Sequence, residues 1–262
     1  MKVVLFCGGL GTRLREYTGE IPKPMVKIGY RPIIWHLMKY YAHFGHKDFV
    51  LCLGYKGDVI KEFFLRYEEW ISNDFTLSQG GKHLELENND IEDWNITFVD
   101  TGLNSNIGQR LSAVRRYVEN EEMFLANYSD GLIDMDLTAM IEHFRASQKI
   151  ATFVATPPSQ SFHLVDLEAS GDVTSLRPVA DSNLLINAGF FVLRPQIFEY
   201  IQPGEELVLE PFARLIAERQ LVAYQYQRFW CMDTFKEQQQ LTDIYNAGNA
   251  PWEVWKTALD GI

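Results

Sequence analysis

The chain opens with the run Val3-Val4-Leu5-Phe6-Cys7-Gly8-Gly9-Leu10-Gly11-Thr12-Arg13, in which four apolar residues lead into a glycine-rich turn. A short, continuously apolar run is typical of a strand that is covered on both faces of a sheet. Three glycines within four positions let the backbone approach a ligand closely, and their amides can point at phosphate oxygens. The opening run therefore predicts a buried first strand followed by a candidate phosphate-binding loop.

Neither common phosphate-binding fingerprint matches this loop. The Walker pattern ends in Gly-Lys-Ser/Thr where this chain has Gly11-Thr12-Arg13, and the dinucleotide pattern requires a third glycine where Leu14 stands. The loop taken alone is therefore compatible with a purely structural turn as well as with ligand binding.

Strands and helices alternate along the rest of the chain. Apolar residues follow a helical spacing over 32–44 and 58–67, and an apolar strand is predicted between them at 49–53. Further helices are predicted over 107–117 and 195–201. This alternation favours βαβ units and a parallel sheet. Hairpin patterns stand around Gly80-Gly81 and around Ser170-Gly171-Asp172. We expect a single α/β domain over residues 1–262, with a mostly parallel mixed sheet and antiparallel β elaborations.

The charge of the chain is unevenly distributed. Acidic residues outnumber basic ones 35 to 24 among the 262 residues, which gives a net charge of −11. That excess argues against nucleic acid and anionic membranes as partners, because both require a basic surface. Residues 1–31 nevertheless carry +4 and residues 32–262 carry −15. The basic amino-terminal segment points to a local polyanion site, such as one for a nucleoside triphosphate, although a solvated loop with scattered charges has the same composition.

Two aspartates follow predicted strands at positions suited to a metal. Asp130, in Tyr128-Ser129-Asp130-Gly131, stands directly after an apolar strand, where parallel sheets bind ligands, although Asp-Gly also marks ordinary turns. Asp233 follows an aromatic strand and is either a second ligand or a helix cap. Mg²⁺ is commonly held by one or two carboxylates together with substrate phosphates. The Asp134-Met135-Asp136 pair is an alternative metal motif, although Asp136 also fits a helix cap.

Other residue patterns exclude more than they suggest. The three cysteines form no CxxC pair, which favours a reducing cytoplasm, and no apolar run is long enough to span a membrane. His36 and His43 lack a completing zinc ligand, so core or surface positions are expected for them. No Gly-x-Ser-x-Gly elbow is present for a hydrolase.

Several motifs taken together resemble a known superfamily. The glycine-rich loop, Pro22-Lys23-Pro24-Met25 and Ser129-Asp130-Gly131 resemble the sugar-1-phosphate nucleotidyltransferases. Further blocks, spread over essentially the whole chain, are similar to those of glucose-1-phosphate cytidylyltransferases: Ile33-Ile34-Trp35-His36, Gly54-Tyr55-Lys56-Gly57, Val99-Asp100-Thr101-Gly102, Asn187-Ala188-Gly189-Phe190-Phe191-Val192 and Ala250-Pro251-Trp252.

This resemblance implies a Rossmann-like three-layer αβα sandwich. Residues 1–150 would form its nucleotide-binding half, and residues 151–262 would form its sugar-phosphate-binding half with the C-terminal helices. The implied activity is magnesium-dependent transfer of CMP from CTP to a sugar 1-phosphate, with release of pyrophosphate, in nucleotide-sugar biosynthesis. A cytoplasmic homo-oligomer is also expected.

The same resemblance implies roles for individual residues. Catalysis would fall to Arg13, Lys23 and Asp130, and Asp130 and Asp233 would hold Mg²⁺. Arg177, Asn187 and Glu210 would bind the sugar phosphate. The nucleotide would be bound by a larger set: Gly8, Gly9, Leu10, Gly11, Thr12, Arg13, Lys23, Ser105, Arg110 and Ser129.

The sugar side departs from the usual superfamily pattern. Leu176-Arg177-Pro178 replaces a Glu-Lys-Pro block, and Phe162-His163 replaces Phe-Gly. A planar guanidinium is not equivalent to a lysine ammonium. We therefore expect an intact nucleotide site and an altered acceptor pocket. Transfer of thymidylyl, uridylyl or guanylyl groups, a non-catalytic nucleotide-sensing protein, and a glycosyltransferase using Asp134 and Asp136 are the alternatives.

Overall fold

A computed structural model of the chain describes residues 1–9, 21–158 and 162–256. Its strands, in chain order, are β1 (Lys2–Phe6), β2 (Lys27–Ile28), β3 (Arg31–Pro32), β4 (Asp48–Leu53), β5 (Phe75–Ser78), β6 (His83–Leu86), β7 (Asn95–Asp100), β8 (Phe124–Asn127), β9 (Gly131–Ile133), β10 (Ala151–Thr156), β11 (His163–Leu167), β12 (Val173–Pro178), β13 (Ile186–Leu193), β14 (Leu221–Gln225) and β15 (Phe229–Cys231).

The helices of the described residues are α1 (Ile33–His43), α2 (Gly57–Leu65), α3 (Ile107–Ala113), α4 (Arg115–Val118), α5 (Leu137–Ser147), α6 (Glu210–Ala217) and α7 (Phe235–Asn246). Single turns of 3₁₀ helix stand at Lys23–Met25, Glu69–Ile71, Val179–Asp181 and Pro195–Glu199. No helix in the described part of the chain is both long and apolar enough to cross a membrane.

Seven strands form the central sheet, in the order β14-β10-β13-β8-β1-β4-β7. All pairs are parallel except the two that involve β13, which runs antiparallel to both β10 and β8. The prediction of an α/β fold with a mostly parallel mixed sheet is thus confirmed. The division into halves at residue 150 stays a prediction.

The apolar first strand explains the layered arrangement. Successive side chains of a strand point to opposite faces of the sheet. Val3 and Leu5 belong to a buried cluster that includes residues of α1 and α5, whereas Val4 and Phe6 belong to a second cluster with residues of α3 and α6. The sheet is therefore covered on both faces, which requires strands that are apolar throughout.

Local deviations from the sequence-based expectations have identifiable causes. The single helix expected over 107–117 is divided at Val114, whose backbone leaves the helical region at φ −100° and ψ 3°. The expected helix after Pro195 is a short 3₁₀ segment, Pro195–Glu199. Gly131 begins strand β9 instead of completing an Asp-Gly turn, because it pairs with Cys231 of β15. Strand β14 was not predicted, since its half-buried residues give only a weak pattern.

Two hairpins lie apart from the central sheet. Strands β5 and β6 pair around Gly80 and Gly81, and β11 and β12 pair around Gly171, as the turn residues predicted. Both hairpins expose large apolar side chains: Phe75, Leu77, Leu84, Val165, Leu167, Val173 and Leu176.

Candidate active site

The candidate site lies where β1 and β8 end side by side. These strands are parallel neighbours, with Leu5 opposite Asn127, so the segments that follow them leave the same edge of the sheet. A cavity of about 240 Å³ opens there. Among the described residues it is lined by Phe6, Cys7, Gly9, Lys23, Pro24, Ile107, Tyr128 and Asp130. Ligands of open α/β sheets bind at this edge.

Lys23 meets both predicted metal ligands at the cavity. Its Nζ donates to Asp130 Oδ2 at 2.7 Å and also to Asp233 Oδ1. Burial would lower the pKa of Lys23, but the charges of Asp130 and Asp233 more than offset that effect and hold the pKa above its usual value. Lys23 is therefore a cation that two carboxylates share.

Pairing between β9 and β15 brings the two carboxylates together. Gly131 and Cys231 stand opposite each other, and Met232 N donates to Asp130 O at 2.9 Å. Glu237 Oε2 then accepts from Asp233 N at 2.8 Å. Thr234, rather than Asp233, caps α7, in a capping box with Glu237. The residue that caps α7 is thus Thr234, and the carboxylate of Asp233 contacts Lys23. The role of Asp233 as a metal ligand stays a prediction.

Ser129 occupies a strained position directly before Asp130. Its φ is +66°, a left-handed backbone conformation that residues other than glycine rarely adopt. The residue is fully buried, its N–H donates to Asn127 Oδ1 at 2.8 Å, and its Oγ lies 3.5 Å from Cys7 Sγ. Strain of this kind persists where the surroundings fix a residue, and it is frequent at functional sites.

Arg110 is buried among backbone groups at the ends of three strands. Its guanidinium donates to Gly8 O at 3.0 Å, to Leu53 O at 3.1 Å and to Thr101 Oγ1 at 2.7 Å. A Cβ on Gly8 would lie 2.1 Å from Arg110 Nη1, so a side chain at this point of the loop would displace the guanidinium. Arg110 thus fixes the start of the glycine-rich loop, a role that its charge alone did not predict.

The other predicted binding residues are placed as follows. Ser105 Oγ donates to Thr101 O. Asn187 Nδ2 lies 3.4 Å from Tyr128 Oη, which ties it to a residue that lines the cavity. Glu210 is exposed as the first residue of α6. Arg177 is half-exposed on β12 and donates to Asp166 Oδ2 at 3.0 Å. Neither Glu210 nor Arg177 lines the cavity.

Part of the predicted nucleotide loop lies outside the described residues, namely Leu10, Gly11, Thr12 and Arg13. Gly8 and Gly9, which begin that loop, are described, and Gly9 lines the cavity. The other lining residues were not predicted as site residues: Phe6, Cys7, Pro24, Ile107 and Tyr128. All of them except Ile107 stand in or beside the quoted motifs.

The Asp134–Asp136 pair has other partners. Asp134 is buried and accepts from Tyr226 Oη at 2.8 Å, and its Oδ2 lies 2.6 Å from Arg228 Nη2. Asp136 caps α5 by accepting from Thr138 N at 2.9 Å. Both carboxylates serve the local structure, which removes the basis for the glycosyltransferase alternative.

His36 is a core residue, as expected. It is fully buried, and its Nε2 lies 2.9 Å from Ile28 O. The described residues contain no group of three or more His, Cys, Asp or Glu side chains arranged to hold a metal.

The fold and this edge-of-sheet site define an α/β protein with a ligand cavity at the carboxyl ends of its parallel strands. Comparison with known proteins identifies its family. The sequence profile of the nucleotidyl transferase family matches residues 2–240, and the chain belongs to that family. It is 42% identical over 260 residues to the glucose-1-phosphate cytidylyltransferase of Salmonella typhi and equally so to that of Salmonella typhimurium. Both alignments cover 98% of this chain and 100% of the relative.

Solved structures show the same fold at much lower identity. The structure of a UDP-glucose pyrophosphorylase complexed with UDP-glucose matches with a TM-score of 0.68 and 16% identity, over 94% of this chain and 98% of that one. The resemblance to glucose-1-phosphate cytidylyltransferases that the motifs predicted is confirmed.

Proposed function

We propose that the protein transfers CMP from CTP to a sugar 1-phosphate, releasing pyrophosphate and forming a CDP-sugar. The observation that carries this proposal is the convergence of Asp130 and Asp233 on Lys23, because Lys23 and Asp130 line a cavity at the start of the glycine-rich loop. Full-length similarity to glucose-1-phosphate cytidylyltransferases supports CTP and glucose 1-phosphate as the first substrates to test. Thymidylyl, uridylyl or guanylyl transfer by the same residues is the alternative.

The reaction needs charge neutralisation more than proton transfer. The attacking oxygen belongs to a phosphate monoester whose second pKa is about 6, so it is already ionised near neutral pH and needs no general base. It forms a bond to the α-phosphorus of CTP while the bond from that phosphorus to the bridging oxygen breaks, and pyrophosphate leaves. Lys23 would neutralise the α-phosphate, and Arg13 would neutralise the departing β- and γ-phosphates.

The two carboxylates fit a magnesium ion. Asp130 Oδ2 and Asp233 Oδ1 already converge on one cation, Lys23 Nζ, and hard carboxylate oxygens are the ligands that Mg²⁺ prefers. When bound, Mg²⁺ would offset phosphate charge at the reacting α-phosphorus. Arg110 and Ser129 would act by holding Gly8 and Asp130 in place, and Ser105 would assist in binding the nucleotide.

We further propose that the acceptor pocket is altered, with Asn187, Arg177 and Glu210 on the sugar-phosphate side. Arg177 now pairs with Asp166, so binding an acceptor phosphate would require exchange of that exposed ion pair, which costs little. His163 is the first residue of β11 and pairs with Pro178, so it is adjacent to Leu164, which pairs with Arg177. The panel of acceptors to be tested therefore includes 1-phosphates of sugars other than glucose.

The decisive experiment is pyrophosphate release from CTP, UTP, dTTP and GTP, each with a panel of sugar and polyol phosphates and Mg²⁺. We expect release with CTP and a sugar 1-phosphate, and loss of release when Mg²⁺ is removed with a chelator. Nucleotide binding without turnover across the whole panel would instead indicate a nucleotide-sensing protein. Release of a nucleoside diphosphate from a nucleotide-sugar would indicate a glycosyltransferase.

A matched pair of variants tests the metal assignment. Asp130→Asn removes a carboxylate from Lys23 and the proposed Mg²⁺ site, and we expect a loss of turnover of at least about a hundredfold. Asp136→Asn is the control, because asparagine caps a helix as well as aspartate does. Loss of turnover in Asp136→Asn with full turnover in Asp130→Asn would contradict the assignment.

We also propose a homo-oligomer in a reducing compartment such as the cytoplasm. Support for the homo-oligomer comes from the apolar side chains that the β5–β6 and β11–β12 hairpins expose. Support for the reducing compartment comes from Cys7, Cys52 and Cys231, none of which forms a disulfide within the described part of the chain. Size-exclusion chromatography coupled to light scattering measures the molar mass of the protein in solution. A monomer at micromolar concentration would contradict the proposed homo-oligomer.

A further inference from the structure

Lys23 occupies the point on which the two proposed metal ligands converge. Its Nζ is within hydrogen-bond distance of Asp130 Oδ2, at 2.7 Å, and of Asp233 Oδ1. Its side chain is only 15% exposed. In this arrangement the ammonium neutralises part of the charge of both carboxylates that would hold the metal.

We propose that Lys23 is the resident counter-ion of the metal site in the free protein, so that a divalent metal enters only together with the nucleotide. The proposal rests on the function proposed above and adds an order of binding to it.

The charge of Lys23 opposes the entry of a metal ion into the free protein. Two carboxylates with one ammonium carry a net charge of −1, whereas the carboxylates alone carry −2. A divalent cation that enters while Lys23 remains must overcome repulsion from a charge only a few ångströms away, in a partly buried site where such interactions are weakly screened. A metal that displaces Lys23 leaves the ammonium partly buried without either partner, which is also unfavourable.

Two carboxylates would supply only part of the ligands of a magnesium ion. Mg²⁺ is usually bound by one or two carboxylates together with waters and substrate phosphates. Phosphate oxygens of a nucleotide supply the remaining ligands. The same phosphates give Lys23 a new anionic partner. The nucleotide thus supplies both the missing ligands of the metal ion and the counter-charge of the lysine.

The consequence is a reciprocal coupling between metal and nucleotide. If the nucleotide strengthens metal binding by a given factor, the metal strengthens nucleotide binding by the same factor. A protein in which Lys23 acts only on the α-phosphate would show no such suppression of metal binding in its free form.

The test measures Mn²⁺ binding by the whole protein, using the electron paramagnetic resonance signal of free Mn²⁺. We expect millimolar or weaker binding by the wild-type protein alone, and binding at least about tenfold tighter when α,β-methylene-CTP, which cannot be cleaved at the reacting bond, is added. For Lys23→Met, we expect Mn²⁺ to bind the free protein at least about tenfold tighter than wild type, with little further gain from the analogue.

Three controls keep the outcomes separate. Lys27→Met, which changes an exposed neighbouring lysine, should bind Mn²⁺ as wild type does. Lys23→Met combined with Asp233→Asn should lose the gain, which places the Mn²⁺ at this site. The wild-type titrations with and without analogue need no variant, so they remain informative if Lys23→Met folds poorly.

Two results would overturn the inference: tight Mn²⁺ binding by the free wild-type protein, or equal Mn²⁺ affinities of wild type and Lys23→Met. Either result together with CTP-dependent pyrophosphate release would leave the proposed function intact. Absence of both analogue binding and pyrophosphate release would count against the proposed function itself.

Discussion

Lys23 is the described residue on which the proposed chemistry depends most directly. Lys23→Ala removes the charge that would neutralise the α-phosphate, and we expect kcat for pyrophosphate release to fall by about 10² to 10³. Lys27→Ala, on the exposed side of β2, is the matched control and should retain wild-type kcat. Unchanged turnover in Lys23→Ala would show that this lysine has no part in the transfer step.

Ser129 allows backbone strain to be separated from side-chain function. Glycine adopts φ +66° freely, so Ser129→Gly should raise the free energy of unfolding by about 0.5–1 kcal/mol, whereas Ser129→Ala retains the strain and should not. Urea denaturation measures this difference. Both variants lack the hydroxyl, so an equal rise in KM for CTP would assign the hydroxyl to nucleotide binding. Equal stabilities of Ser129→Gly and Ser129→Ala would contradict the strain argument.

Helix α3 controls the glycine-rich loop through Arg110. Its capping box, Asn106 with Gln109, fixes where the helix begins and therefore where Arg110 stands. A lysine ammonium cannot reproduce the planar arrangement of donors with which the Arg110 guanidinium binds Gly8, Leu53 and Thr101 at once. We expect Arg110→Lys to lower the free energy of unfolding by about 2 kcal/mol and to raise KM for CTP more than it lowers kcat.

The control for this prediction is Arg115→Lys, which changes an exposed arginine on the neighbouring helix α4. It should leave both stability and KM unchanged. If Arg110→Lys destabilised the protein without any change in KM, the guanidinium would stabilise the fold but have no influence on the loop.

The elements were predicted to different extents for physical reasons. Strands β1, β4 and β8 are buried on both faces, and their apolar runs were visible in the sequence. Strand β9 has only three residues and depends on β15, about a hundred residues away, for its pairing. Short strands stabilised by distant partners leave little local pattern, because their stability comes from tertiary contacts.

The same distinction applies to the site. Lys23, Asp130 and Asp233 were predicted from motifs, but their mutual contact follows from the non-local pairing of β9 with β15. The burial of Arg110 was not predicted, since arginine is normally exposed and only its backbone acceptors make burial tolerable. Arg177 was predicted on the sugar side and stays a prediction, because its present partner is Asp166.

The last part of the chain packs against the first, and this contact places Asp233 near Lys23. Gln238 of α7 donates to Lys27 O at 3.2 Å, and Tyr245 fills the space beside Gly29, where a Cβ would lie 2.0 Å from its ring. The ring of His36 lies in this contact, edge-to-face with Trp35, Tyr245 and Trp252. A charge on His36 would therefore be introduced into an aromatic core.

This position makes stability depend on pH in a defined direction. Burial lowers the pKa of His36 from its ordinary 6.5 to about 4, although the hydrogen bond to Ile28 O opposes the shift. Above pH 7.5 the residue is neutral in both the folded and unfolded chain and contributes no pH dependence. Between pH 6.5 and 4 the unfolded chain binds a proton that the folded chain does not, so stability falls as pH falls.

We expect His36 to account for a loss of about 2 kcal/mol between pH 7.5 and 5.0, at 1.36 kcal/mol per pKa unit. The measurement is urea denaturation of wild type and His36→Gln across this range, in which groups common to both proteins cancel. The unfolding free energy of His36→Gln should fall less steeply with acidification, and that of His83→Gln, at an exposed position on β6, should follow wild type. Parallel pH profiles for wild type and His36→Gln would show that His36 accepts a proton as readily in the folded core as in the unfolded chain.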